Sequence, residues 1–155
     1  MKSTSQTHEA DIAARKAWMS LLSKAPEGKA AALLDATVAR PSYDWLRPPE
    51  VGSVMVQGRA NATGAPFNLG EMTVTRCALR LACGTVGHAY VQGRRKADAE
   101  AAALTDALLQ TEHAGAVEAG VLAPLRTEAD TTKAARAAKA AATKVEFFTM
   151  VRGED

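Results

Sequence analysis

The apolar positions follow two periods. From about Glu9, Ala14, Trp18, Leu21 and Leu22 recur at the spacing of one helical face. Pro26 suits the first turn of a second helix, whose stripe is Ala30, Leu33, Leu34 and Thr37. That helix stops by Arg40, because a residue ahead of a proline avoids the α region. Residues 43–49 (Tyr-Asp-Trp-Leu-Arg-Pro-Pro) read as a connector. The period then changes to 2. Residues 52–59 predict a strand with Val54 and Val56 on one face, and residues 60–70 a turn-rich loop. Met72 to Ala82 carries the clearest strand signal. Thr73, Thr75, Cys77, Leu79 and Leu81 share one face, and Arg76 and Arg80 the other. Cys83-Gly84 supplies a tight turn, and Val86 to Gly93 returns as the hairpin partner. Gly87 and Gly93 inside that strand mark a bulge or a close backbone approach.

The helical period resumes over Asp98 to Gln110, with Ala97, Ala101, Leu104 and Leu108 as its stripe. His113 to Leu125, broken by Gly115, Gly120 and Pro124, fits no single period. Thr127-Glu-Ala-Asp130 resembles a capping box with Asp standing in for Glu, and predicts a helix to about Lys144. Val145 to Val151 predicts a final strand. The order is α-α-β-β-β-α-α-β, with loops rather than helices between the central strands. An α+β fold follows, a largely antiparallel sheet of about four strands with helices on one face, two of them N-terminal. A disordered segment 1–8 precedes a single domain over 9–153.

Composition sharpens this picture. The 155 residues suit one domain. They are 47% hydrophobic, but 34 of those residues are alanine, and aromatics are only 5%. The bulky core is therefore thin, which fits close helix packing or burial against another chain. No run approaches the roughly 18 apolar residues of a membrane span, and the polar opening Met1-Lys2-Ser3-Thr4 is not a signal peptide. Two cysteines are too few for a disulfide scaffold, and predict a reduced, cytoplasmic chain with buried thiols. The net charge of +2 selects no partner.

Catalytic motifs are missing. The chain has no phosphate-binding Gly-rich loop, no nucleophile elbow and no dinucleotide fingerprint. His8, His88 and His113 are dispersed, and the Cys77–Cys83 spacing fits no zinc site, so no metal site is expected. Cys77 reads as a buried thiol and His88 as a packed or hydrogen-bonded ring sharing a face with Tyr90. Three features stand out. Residues 51–96 hold Arg59, Arg76, Arg80, Arg94, Arg95 and Lys96 against Glu71 alone. Such a patch suits phosphates or an acidic protein surface, with Arg59, Glu71, Arg76 and Arg80 as candidate phosphate, substrate or interface residues and Glu71 a candidate partner of Arg76. Only Tyr90 interleaves with the strand charges, which argues against nucleic acid. Phe67 and Asn68 in the 63–71 loop, and Phe147, Phe148, Met150 and Arg152 at the C-terminus, are candidate partner contacts.

Five blocks carry a family resemblance: Arg15-Lys-Ala-Trp18-Met19; Leu46-Arg-Pro-Pro-Glu50 with Val54-Met-Val-Gln-Gly-Arg59; Thr63-Gly-Ala-Pro-Phe-Asn-Leu-Gly-Glu-Met-Thr-Val-Thr-Arg-Cys77; Gly87-His-Ala-Tyr-Val-Gln-Gly93; and Val145-Glu-Phe-Phe-Thr-Met-Val-Arg-Gly153. Together they resemble the PhnG subunit family of the bacterial carbon–phosphorus lyase system, in register from about residue 12 to 153. Two departures are Asn61-Ala62, where the family tends to have a glycine pair, and Arg95, where an acidic helix cap is usual. The resemblance implies a cytoplasmic, obligate hetero-oligomer with PhnI, PhnH and PhnJ type subunits, assisted by PhnL and PhnK. It implies an early step of phosphonate breakdown in which a phosphonate displaces adenine from MgATP at the ribose C1′, with PhnI regarded as the nucleosidase and PhnJ cleaving the carbon–phosphorus bond later. MgATP is then a substrate of the complex, with no cofactor bound by this chain alone. The resemblance carries no catalytic residue onto this chain, which favours an accessory subunit. The alternatives are a direct contribution of the basic residues to the ATP/phosphonate site and, more remotely, a stand-alone nucleic-acid binder.

Overall fold

The computed structural model describes residues 4–143. Helix α1 (Thr4–Ser23) begins ahead of Glu9, and α2 (Lys29–Thr37) follows. Strands β1 (Tyr43–Arg59), β2 (Pro66–Leu81) and β3 (Val86–Gln92) form an antiparallel sheet in the order β1-β2-β3. Helix α3 (Lys96–Leu108) comes next, then a continuous helical run of α4 (Ala114–Val117), a π-helical turn (Glu118–Leu122) and α5 (Ala123–Ala142). The α+β architecture and the antiparallel sheet match the expectation. The predicted fourth strand, 145–151, lies outside the described residues.

Two segments differ from their sequence reading. The stretch 43–49 is strand rather than connector, although Pro48 and Pro49 cannot donate to a ladder. β1 is an edge strand, and its register shifts between Trp45 and Arg47 and between Arg47 and Glu50. Prolines are tolerated at such edge irregularities. The run 113–125 is helical, and the π turn absorbs Gly120. A Cβ built there would lie 2.2 Å from the Thr37 hydroxyl, so glycine lets α2 approach the turn. Consequently α5 starts at Ala123, with Pro124 in its first turn. Thr127 is therefore not a cap. Its hydroxyl donates to the Ala123 carbonyl inside the helix.

Helix α3 lies at the centre. One side covers the sheet, and α1 and α2 pack elsewhere on its surface. Every residue from Ala101 to Leu108 is buried, so the expected single stripe becomes burial all round, apolar except at Thr105 and Asp106. The alanines now have a role. A Cβ at Gly87 would sit 2.0 Å from the Ala103 carbonyl oxygen and 2.9 Å from the Ala107 Cβ. The α3–β3 approach thus needs small residues on both sides. Gly87→Ala is expected to cost about 1–3 kcal/mol through backbone displacement, read from urea unfolding. The larger core side chains are Leu22, Leu34, Leu79, Leu104, Leu108, Val117, Val121, Leu122 and Leu125.

The helix-covered face of the sheet carries Thr75, Cys77, Leu79 and Leu81 of β2 and Gly87, Ala89 and Val91 of β3. The opposite face carries Arg76, Arg80, His88, Tyr90 and Gln92. The alternation read from the sequence is therefore the observed one.

Candidate functional site

The most conspicuous surface is the far half of the β1–β2 hairpin. β3 pairs with β2 between Val74 and Arg80. Beyond that point β1 and β2 continue as a two-stranded ribbon, from Ser53↔Thr73 to Arg59↔Pro66. About seven residues at roughly 3.3 Å each make an arm of about 23 Å. On β2, burial begins only at Val74. The arm exposes Met55 (53%), Phe67 (47%) and Leu69 (65%), with Val51 at its base. A register shift between Val56 and Gln57 leaves Leu69 as an extra residue on β2. Phe67 and Leu69 flank Gly58, where an added Cβ would lie within 3.8 Å of both side chains. At the tip Asn61 has φ 49°, the left-handed conformation that asparagine tolerates, so it serves where the family tends to use glycine.

This geometry reassigns the expected loop 60–70. Only residues 60–65 turn, and Phe67 and Asn68 are already strand residues, with Asn68 opposite Gln57. Phe67 and Asn68 are exposed, as a partner surface requires. Phe147, Phe148, Met150 and Arg152 lie outside the described residues.

The four polar candidates do not converge. Arg59 sits at the tip, where its Nη1 donates to the Gly64 carbonyl at 3.0 Å. Glu71 lies opposite Met55 and on the other face from Arg76, so the expected Glu71–Arg76 pair does not form. The Arg76 Nε instead donates to Glu50 at 2.7 Å, directly across the ladder. Arg80 lies opposite Asp44, with 3.9 Å between Nη2 and Oδ2. The basic count over 51–96 misses these acids because Asp44 sits in 43–49, the stretch read as a connector, and Glu50 lies one residue outside the counted segment. Cross-strand register, not sequence neighbourhood, brings them to Arg80 and Arg76. Arg95 is also committed. It precedes α3, donates to the Ala25 carbonyl at 2.9 Å and stands 3.4 Å from Asp98. Asp98 in turn accepts the Gly28 N–H at 2.9 Å, tying the start of α2 to the start of α3.

The sequence reading missed the strongest polar constellation. Asp106 in α3 is fully buried. It accepts from Arg15 Nε at 3.0 Å, Arg15 Nη2 at 2.6 Å, Trp18 Nε1 at 2.8 Å and the His88 backbone N–H at 2.9 Å. Arg15 and Gln110 also donate to the Val86 carbonyl, at 3.3 and 3.1 Å. This knot caps the first part of the β3 edge and joins α1, α3 and the sheet. The signal for it was an acid in the apolar second half of α3, two positions after Leu104 and two before Leu108. His88 shares the Tyr90 face as expected, but its ring is exposed and its backbone does the bonding.

The two thiols differ sharply in reactivity. Cys77 is buried, its thiol 3.1 Å from the Ala99 carbonyl, and burial pushes its pKa up to about 12. Cys83 is exposed and held below the usual thiol range by hydrogen bonding with Thr85. Iodoacetamide at pH 7.5 should therefore alkylate Cys83 rapidly and Cys77 only on unfolding, as pulsed labelling with mass spectrometry would show. Burial and the Glu100 carboxylate raise Tyr43 to about 12, so it remains a donor to Glu100. Among the described residues no cluster of His, Cys, Asp and Glu fits a metal ion, and no helix is long and apolar enough to cross a membrane.

Two comparisons bear on this geometry. The family model described as "Phosphonate metabolism protein PhnG" matches residues 13–153. The chain is also 42% identical over 156 residues to a Rhizobium meliloti (strain 1021) protein named "Alpha-D-ribose 1-methylphosphonate 5-triphosphate synthase subunit PhnG". The match covers 100% of this chain and 99% of that protein.

Proposed function

The chain belongs to the PhnG family, and from that premise we propose that it is a docking subunit of a ribose 1-methylphosphonate 5-triphosphate synthase in phosphonate catabolism. In the reaction of that complex a phosphonate oxygen bonds to C1′ of MgATP, the C1′–N9 bond breaks and adenine leaves. The triphosphate stays on the ribose. PhnI, PhnH and PhnL type subunits are the proposed companions in this step, with the assembly working in the cytoplasm.

The observation that carries the docking role is the projecting β1–β2 ribbon with Met55, Phe67 and Leu69 exposed at its far half. An isolated two-stranded ribbon is at best marginally stable in water, and large apolar side chains on it mark a surface meant to be covered. The placement of Arg59, Arg76 and Arg80 supports docking over shared catalysis. One arginine bonds a loop carbonyl, one is ion-paired across the ladder, and the third faces a carboxylate. No phosphate-sized convergence joins them.

The test is Arg76→Ala in the reconstituted complex. Adenine release per assembled complex should stay within about twofold of wild type. A loss of about a hundredfold per assembled complex would instead place Arg76 in the substrate site.

A further inference from the structure

Helices α1 and α5 diverge around a groove of about 640 Å³. Its lining includes Ala17, Leu21 and Ala25 on one side and Leu125 and Ala129 on the other. Its cations are Lys24, Arg126, Lys133 and Arg136. Glu128 is the one carboxylate in the lining, and it is already engaged by Lys29 at 3.6 Å. Arg126 pairs with Glu118. Lys133 and Arg136 have no carboxylate partner among the described residues, and Lys24 makes its bond to the Ser20 hydroxyl at 3.2 Å. The groove therefore combines an apolar set on both sides with a net positive charge. On α5 itself, Leu125 is the buried residue of the whole 20-residue helix.

We propose that this groove seats an α-helix of another synthase subunit, one with a narrow apolar stripe flanked by carboxylates. The inference rests on the subunit reading above. Three features choose the occupant. The cations demand acidic flanks, since matched charge sets register and selects the partner. The long parts of both walls, on α1 and α5, are helices whose backbone groups are satisfied internally, so an added strand would find no ladder. Small side chains at Ala17 and Ala129 allow helix axes to approach to about 8 Å. The α5 wall from Leu125 to Arg136 spans about 17 Å, three turns of such a helix. The mode is a helix laid in a groove, separate from the hairpin arm.

The test uses the full chain co-expressed with the other synthase subunits, with a photo-crosslinking amino acid replacing Thr132. Native mass spectrometry reports whether the complex assembles. The cross-link should then map to one acid-flanked helix of a partner subunit. Lys133→Glu combined with Arg136→Glu should weaken assembly about tenfold or more and reduce its salt dependence. Lys139→Glu, on the same helix but outside the lining, should leave assembly unchanged. A complex that assembles while Thr132 cross-links to no partner, to a second copy or to this chain's own C-terminal segment overturns the groove assignment and leaves the subunit reading standing. Unchanged affinity of the double charge reversal does the same. A wild-type chain that never assembles with those subunits overturns both.

Discussion

Asp106→Ala is expected to remove about 3–5 kcal/mol of stability, read as a lower urea midpoint at unchanged slope. The magnitude follows from what the carboxylate holds. It accepts four hydrogen bonds inside the fold, two from one guanidinium, one from an indole and one from a backbone N–H. Truncation takes the acceptor from the His88 N–H and the Trp18 indole, and leaves Arg15 without its counter-charge. Each unsatisfied buried group costs about 1–3 kcal/mol. A domain of this size has roughly 5–15 kcal/mol in total, so the variant should melt roughly 10 °C or more lower. Arg15→Ala should cost a comparable amount, because it leaves the fully buried Asp106 carboxylate without its counter-charge, held by Trp18 and the His88 N–H alone. Trp18→Phe removes one bond and should cost about 1–2 kcal/mol. Arg15→Ala and Asp106→Ala together should cost clearly less than their sum, the signature of direct coupling. An Asp106→Ala chain within about 1 kcal/mol of wild type would show that the knot is not a stabilising junction.

That knot also shows where legibility in sequence ends. Local periodicity placed β2 and β3 well, because each has one face on a helix and one in water. The Thr75-Cys77-Leu79-Leu81 alternation therefore mirrors burial directly. Helix α3 was recognisable as a helix, but its environment was not. A helix covered nearly all round loses the polar face that betrays orientation. Its alanines suggested close packing and Gly87 a close backbone approach, but no spacing rule brought the two together. Asp106 drew no reading at all. Its partners lie 18 to 91 residues away in sequence, beyond the reach of any spacing rule.

The hairpin errors have a different cause. Pro48 and Pro49 mark breaks in a ladder, but an edge strand can bulge around them, and only the pairing partner reveals that. Once 43–50 is strand, Asp44 and Glu50 stand opposite Arg80 and Arg76, and two of the six cations counted there become cross-strand pairs. The capping-box reading of Thr127 failed similarly. A good local cap signal is overridden when the chain enters already helical from Leu122. Phe67 and Asn68 drew notice as docking candidates because bulky apolar side chains beside turn formers are unusual, and both are exposed. That they belong to a projecting ribbon was not.

Phe67→Asp combined with Leu69→Asp is expected to abolish stable assembly while leaving the isolated chain folded. Both side chains are largely exposed, so their replacement should change the chain's own stability by no more than about 0.5 kcal/mol. In the complex, each buried apolar side chain is worth about 1.5–3 kcal/mol, and an unpaired carboxylate in its place adds a desolvation cost. The pair should therefore weaken assembly by at least about 4 kcal/mol, roughly a thousandfold in dissociation constant. Ile12→Asp, equally exposed but on α1, is the control and should have little effect. Adenine release distinguishes docking from chemistry. If the arm only docks, activity should fall in step with the fraction assembled and return when subunit concentrations are raised. Activity that stays lost in a fully assembled variant complex would mean that the arm reaches the reacting centre. Full assembly at wild-type affinity would remove the hairpin from the interface altogether. The ribbon makes this separation possible because burial on β2 begins only at Val74, past every residue being changed. A perturbation confined to the arm has no route into the α3-centred core except through the ladder itself.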